Sequence, residues 1–161
     1  MRVEENVIIK DVMIGRGSYR NFSGIKTDFN KAGNRTFSIF LPQETAEILQ
    51  NEGWHVKYKP ARLEGQNDRW QLDVAVGFDR FPPTIKVTSA DGVTSYLTEE
   101  SVSILDSADI QTADIELRPY NWEVNGNTGV KAYLRELDVT LRPPRRALSG
   151  AMYHDEDDDR F

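Results

Sequence analysis

The chain has 161 residues, 39% of them hydrophobic, and no cysteine, which leaves room for one compact domain with its own core and excludes disulfide scaffolds and thiolate metal sites. A cysteine-free chain fits a reducing interior, the start MRVEENVIIKDV is no secretory signal, and no apolar run approaches the roughly 20 residues that span a bilayer, so a cytoplasmic protein with no membrane partner is expected. The net charge of −6 argues at face value against a nucleic-acid partner.

Period-2 alternation dominates. Val7 to Ile14 reads as a β-branched, apolar strand closed by the turn Gly15-Arg16-Gly17-Ser18. That turn lacks the Gly-Lys-Ser/Thr ending and the following helix of a phosphate loop, so it reads as a joint between strands. Tyr19 to Phe29 is a second extended stretch bent at Gly24, and Lys31 to Asn34 is a turn. Arg35 to Leu41 follows as a strand with Phe37, Ile39 and Leu41 on one side. Pro42 then opens a helix, since proline is tolerated at a first helical position; Ala46, Ile48 and Leu49 form its apolar stripe and Gly53 stops it.

Trp54 to Leu63 returns to alternation, and Trp70, Leu72, Val74, Val76 and Phe78 make the cleanest core face of the chain. After Pro82-Pro83, Thr84 to Ser89 pairs with Val93 to Leu97 across Asp91-Gly92, a hairpin by turn chemistry. A short helical turn fits Thr98 to Leu105. Ile110 to Val124 and Val130 to Leu141 are long strands joined across residues 125–129. From Arg142 onward the alternation dissolves into Pro, Arg, Ala, Ser and Gly, then acid. Short strands, one helix and frequent turns indicate an all-β fold. The best fit is an OB-like β-barrel with one short helix and added hairpins over residues 1–141, then a flexible linker and disordered acidic C-terminal tail over 142–161. A small sandwich is the alternative architecture.

The negative charge is not evenly spread. The last seven residues hold five acids and one base, whereas residues 16–86 hold eleven Lys/Arg against eight Asp/Glu and residues 117–146 hold six against three. Between them, residues 87–116 carry seven acids and no base. Such segregation predicts a basic face and an acidic face. Binding a single strand needs cations that follow phosphates and rings that accept bases. His55, Lys57 and Lys59 lie opposite Trp54, Val56 and Tyr58 on one strand, so the pleat alone makes a basic stripe. Arg35, Arg62, Arg69 and Arg80 accompany it along the central strands, and Lys26 and Arg118 extend it.

Among the aromatics, Phe37, Trp54, Tyr58, Trp70 and Phe78 share the apolar parity and are expected in the core. Phe40 lies off its strand's core parity, Tyr120 and Trp122 share a parity with Arg118, and Phe81 sits in a loop between Arg80 and Pro82. The candidate nucleic-acid-binding set is therefore Lys26, Arg35, Phe40, His55, Lys57, Lys59, Arg62, Arg80, Phe81, Arg118, Tyr120 and Trp122. Nothing resembles a catalytic set. His55 and His154 stand far apart, and Asp106, Asp109, Asp114 and Glu116 read as a solvated acidic face rather than a two-metal cluster. No cofactor and no metal are expected.

The tail Asp155-Glu156-Asp157-Asp158-Asp159-Arg160-Phe161 places a large aromatic after a run of carboxylates that repel one another. Its ring and terminal carboxylate suit an apolar pocket rimmed by cations, which makes Asp155, Glu156, Asp157, Asp158, Asp159 and Phe161 candidate partner-binding residues. An acidic tail closing on phenylalanine behind an OB-like body resembles the bacterial and bacteriophage single-stranded DNA-binding proteins, the phage members most in layout. The resemblance is specific over Asp155 to Phe161 and loose over the body, and Arg160 stands where an acidic or neutral residue is more usual. It implies that the tail recruits replication and repair or recombination proteins and competes with DNA for the basic groove.

These readings converge on a non-catalytic protein that coats single-stranded DNA and recruits replication or recombination partners through its tail, with edge strands that leave room for a homodimer. The alternatives are a structural or interaction β-barrel protein of a larger assembly, such as a phage's, with a solubilising tail, and a nuclease or nucleotide hydrolase working through the acids.

Overall fold

The computed structural model describes residues 2–28, 30–144, 148 and 150; the candidate tail residues Asp155 to Asp159 and Phe161 lie outside them. Along the described chain run β1 (Val7–Ile9), β2 (Met13–Ile14), β3 (Arg20–Asn21), β4 (Arg35–Leu41), α1 (Gln43–Glu52), β5 (Val56–Lys59), β6 (Arg69–Val76), β7 (Thr84–Thr88), β8 (Thr94–Leu97), β9 (Ile110–Val124) and β10 (Asn127–Leu141). One-turn 3-10 segments sit at Gly17–Tyr19 and Val102–Asp106. Strand β4 and the β7–β8 hairpin lie where the alternation puts them, as does the β9–β10 ribbon, except that β10 begins at Asn127 within the expected 125–129 connection.

Three expected strands are shorter than their sequence pattern, and of Trp54 to Leu63 only Val56–Lys59 is strand. Val7 to Ile14 breaks at Asp11, whose φ of 53° turns the chain while its N–H donates to Asp114 Oδ1 at 2.8 Å. Among the described residues from Tyr19 to Asp28 only Arg20–Asn21 is strand. Side chains satisfy the backbone there instead of a neighbouring strand. Asp106 accepts from the N–H groups of Phe22 and Ser23 at 2.6 and 3.2 Å, and Asn21 bonds both the N–H and the carbonyl of Ile25.

The break at Asp11 closes the barrel. Sheet order runs β1-β9-β10-β6-β4-β2, and β1 and β2 are the two halves of one bent strand. The first half pairs with β9 and the second with β4, and between them the Val12 N–H donates to the Ala113 carbonyl at 2.8 Å. The circuit thus returns to its start. Its β6–β10 contact is parallel and the others are antiparallel, an OB-like arrangement. Strand β5 adds to β6, and the β7–β8 hairpin joins β10 through β7.

Phe22, Phe37, Ile39, Leu72, Val74, Ile115, Leu117, Leu137 and Val139 fill the interior, with the Phe22 and Phe37 rings stacked at 4.6 Å. Removing a large buried side chain of this kind costs about 3–5 kcal/mol. Helix α1 buries Ala46 and Leu49 but leaves Ile48 exposed, so its apolar stripe is narrower than expected. It ends where Gly53 takes the left-handed conformation that favours glycine at this position. Trp54 then packs in the core. Arg20 is also buried, and its guanidinium donates to the carbonyls of Gly15, Leu105 and Ala108 at 2.6, 3.0 and 2.7 Å. Those bonds offset the desolvation that lowers its pKa. No helix of the described residues is long and apolar enough to cross a membrane.

Candidate nucleic-acid interface

Cross-strand register decides which side chains share a face. In the β4–β6 pairing, Phe40 opposes Gln71, Ser38 opposes Asp73 and Thr36 opposes Ala75. Strand β5 sets Lys57 beside Gln71 and Lys59 beside Arg69. Strand β10 sets Tyr133 beside Ala75, and β9 carries the row on with Arg118 beside Tyr133, Tyr120 beside Lys131 and Trp122 beside Gly129. The alternate positions Phe37, Ile39, Leu72, Val74 and Ala132 point into the core. One outer face therefore collects rings and cations from five strands.

At one end of this face is a cleft of about 490 Å³ lined by Arg35, Arg80, Phe81, Arg118, Tyr120, Lys131 and Tyr133 among others. The Arg118 guanidinium lies 5.2 Å from the Phe81 ring centroid and 5.0 Å from that of Tyr133. Tyr120 meets Tyr133 edge to face at 5.9 Å, and Lys131 Nζ lies 5.2 Å from the Tyr133 ring. Rings hold a cation in place without cancelling its charge, so Arg118 keeps its donors for a ligand. Phe81 is 62% and Tyr120 50% exposed, leaving ring surface for a base to stack on.

At the other end, the Arg69 guanidinium lies 5.1 Å from the Phe40 ring centroid and 5.9 Å from that of Tyr19, and the two rings meet edge to face at 5.2 Å. Gly15 makes room for this: a Cβ there would stand 2.6 Å from Tyr19 Cβ. Lys59 and Arg62 border the neighbouring cleft under the loop 60–68. Between the two ends lies a polar network centred on Asp73, which accepts from Ser38 Oγ at 2.7 Å, Gln71 Nε2 at 2.8 Å and Lys57 Nζ at 2.8 Å. Burial pushes its carboxyl up, but the three donors together outweigh that and hold its pKa below the usual aspartate value.

Of the residues expected to bind, Phe40, His55, Lys57, Lys59, Arg118, Tyr120 and Trp122 lie on or at the border of this face, with Arg80 and Phe81 on the loop after β6 and Arg62 on the loop after β5. Lys57 is not a free cation, because Asp73 opposes it. Arg35 sits on the core parity of β4 with a side chain only 18% exposed; it pairs with Glu99 at 3.2 Å and lies over Phe78 at 5.4 Å. It reaches the first cleft from below, and its buried Nε has no protein partner. Lys26 is exposed on the loop between β3 and β4 and lines neither cleft.

The candidate set omits Tyr19, Arg69, Lys131 and Tyr133, all of which belong to the face. The last two alternate with the apolar Val130, Ala132 and Leu134, a signal present in the sequence. Arg69, read only as an accompanying cation, joins both rings of the second cluster. Tyr58, expected in the core, is 49% exposed because β5 lies outboard of the barrel, and its hydroxyl donates to Asp68 at 2.6 Å. The acids of the solvated face make surface pairs: Asp109 with Arg16 and Arg142, Asp114 with Lys10, and Glu116 accepts from Asn6. Among the described residues no cluster of three or more such side chains could hold a metal.

Sequence comparison with curated proteins returns no match. Among solved structures, the fold is similar to the single-stranded DNA-binding protein from bacteriophage Enc34 in complex with ssDNA, at TM-score 0.52 and 10% identity over 89% of each chain. It is equally similar to the C-terminal truncation of that phage protein, at TM-score 0.53 and 9% identity over 86% of this chain and 87% of that one. At such identity the likeness establishes the OB-like fold alone. A family model goes further: the one described as "Putative phage ssDNA-binding domain" matches residues 1–145, and the chain belongs to that family.

Proposed function

We propose that the outer face of β4, β5, β6, β10 and β9 is where this non-catalytic protein binds single-stranded DNA. The observation that carries the reading is the pairing of solvent-accessible rings with cations that have no ion pair among the described residues at both ends of one face, Phe81–Arg118–Tyr133–Tyr120 and Phe40–Arg69–Tyr19. The two clusters stand about 20 Å apart by the rise of β6 from Arg69 to Ala75. Bases would stack on Phe81, Tyr120 and Phe40 while Arg118, Lys131, Arg69, Lys59 and Arg62 meet phosphates. Titration with oligo-dT tests it: tryptophan fluorescence should quench, and Trp122→Phe should remove most of the quench, since Trp54 is buried and Trp70 packs partly buried against the core. An interaction protein that ignores DNA would show no quench at all.

The acidic segment Asp155 to Asp159, with Phe161, supports a second element of this function. Its charge complements the face, so it would lie over the cations in free protein and be displaced by DNA, which frees Phe161 for a replication or recombination partner in the host cytoplasm. Deleting residues 154–161 should tighten binding to single-stranded DNA. A truncated protein that binds no better would rule the competition out.

A further inference from the structure

Between the two clusters the outer face has a dent that stacking and phosphate contacts leave unused. Strand β6 changes its neighbour there, pairing with β5 up to Leu72 and with β10 from Val74. Where one strand gives way to another the outward side chains diverge, and the outward residues on its floor, Thr36 and Ala75, are small, with His55 and Lys131 at its edge. The result is a mainly apolar slot of about 290 Å³, just under the ~300 Å³ at which small-molecule pockets begin. That volume is ample for one ring system.

Trp122 forms one wall. Its indole lies across Gly129, its cross-strand partner, where a Cβ would stand 2.5 Å from the ring. Only glycine at this position leaves room for the indole to lie so close to the strand. On the rim, Asp73 Oδ1 already accepts two hydrogen bonds, whereas Oδ2 accepts only one, from Lys57. A carboxylate oxygen has two lone pairs to offer, so Oδ2 retains a site for a further donor. A carboxylate repels phosphate, and what it takes from a strand is the edge of a base.

We propose that this slot captures one unstacked nucleobase against Trp122 and favours bases with an exocyclic amino group, which donates to Asp73 Oδ2. Thymine has no amino group and turns carbonyl oxygens toward the carboxylate on either side of its single ring N–H. The proposal rests on the DNA-binding reading above and adds a base preference to it.

The test compares oligo-dC with oligo-dT of equal length by fluorescence anisotropy at fixed salt. Wild-type protein should bind oligo-dC about tenfold more tightly, the discrimination carried by one good polar contact to a base. Asp73→Asn should bring the ratio to about one while oligo-dT affinity rises, because Lys57 is released. A merely electrostatic role for Asp73 would shift both affinities and leave their ratio alone. Gly129→Ala, on backbone without positive φ, should displace the indole and weaken both ligands. Equal binding of oligo-dC and oligo-dT by wild-type protein overturns the slot and leaves the DNA-binding face standing. Failure to bind either overturns both.

Discussion

Strand β9 carries two different surfaces on a single row of outward side chains. Asp114 and Glu116 occupy its first half, and Arg118, Tyr120 and Trp122 its second. On β10 the same division runs the other way, from Lys131 and Tyr133 to Glu136 and Asp138. The boundary coincides with a bulge: the β9–β10 register shifts between Leu134 and Glu136, which leaves Arg135 unopposed. Across it the inward positions of β10 change from Val130, Ala132 and Leu134 to Leu137 and Val139. One extra residue thus keeps both halves packed on the core while their outer faces diverge.

The halves differ in how their charges are satisfied. In the acidic half most carboxylates are met, Asp114 by the Asp11 N–H and Lys10, Glu116 by Asn6 and Asp138 by Lys86, leaving Glu136 without an ion pair among the described residues. In the basic half, Arg118 and Lys131 have rings for neighbours and no ion pair among the described residues. A surface whose charges are met internally is finished, and one whose cations rest on rings is open to an anion. The net charge of −6 hides this contrast, because it averages over both halves and the acidic tail.

The sharpest way to break the contrast is to reverse its central cation. Arg118→Glu puts a carboxylate between Phe81 and Tyr133, and oligo-dT affinity should fall about a hundredfold, through loss of a phosphate contact and of the ring arrangement it holds. Glu116→Gln, two residues away on the same row, should change affinity less than about twofold. Equal losses from the two variants would mean that the division at the bulge has no bearing on binding.

Truncating the exposed rings comes next. Phe81→Ala and Tyr120→Ala should each weaken binding by about five- to a hundredfold, from roughly 1–3 kcal/mol per stacked base. Both rings are more than half in solvent or nearly so, and thermal unfolding should move little. A large drop in melting temperature would show instead that these rings hold the fold together.

How much of this the sequence discloses depends on where each partner lies. Strand β4 and the β7–β8 hairpin are legible because alternation and a turn dipeptide are local signals. Phe40, Lys59, Arg118, Tyr120 and Trp122 are legible as outward residues because parity is local too. Lys131 and Tyr133 are written in the same code and are found by extending the parity test to β10. The salt bridge from Lys57 to Asp73 is not, since it depends on the β5–β6 register. Nor is the burial of Arg20, whose carbonyl partners at Leu105 and Ala108 lie 85 and 88 residues away. The slot beside Trp122 is least legible of all, because it exists only where β10 replaces β5 beside β6.

A smaller effect separates the two kinds of cation on the face. Lys131 has no acidic partner among the described residues, so Lys131→Ala should lower the salt dependence of oligo-dT binding by about 0.7 in the slope of log K against log salt, the release of one counterion from a single strand. Lys57, held by Asp73 at 2.8 Å, should change that slope by less when replaced by alanine. If the two variants alter the slope equally, the ion pair does not restrain Lys57 in solution.

The smallest expected effect concerns stability at acid pH. The folded pKa of Asp73 lies below its ordinary value, because the hydrogen bonds from Lys57, Gln71 and Ser38 outweigh burial. Such a group contributes stability that is fully present above the unfolded value of about 3.9 and is lost as pH falls through the folded one. Its side chain is 42% exposed, so solvent screening keeps the contribution modest. Asp68 and Asp91 are also held low by hydrogen bonds, and the acid transition of the wild type therefore sums several groups. The difference between wild type and Asp73→Asn isolates one of them. That difference in melting temperature should be constant from neutral pH to about pH 5 and should shrink below about pH 4. A difference that persists undiminished at pH 2.5 would mean that Asp73 acts through the shape of the residue and not through its charge, and the centre of the face would then carry no ionised carboxylate to hold Lys57 away from phosphate.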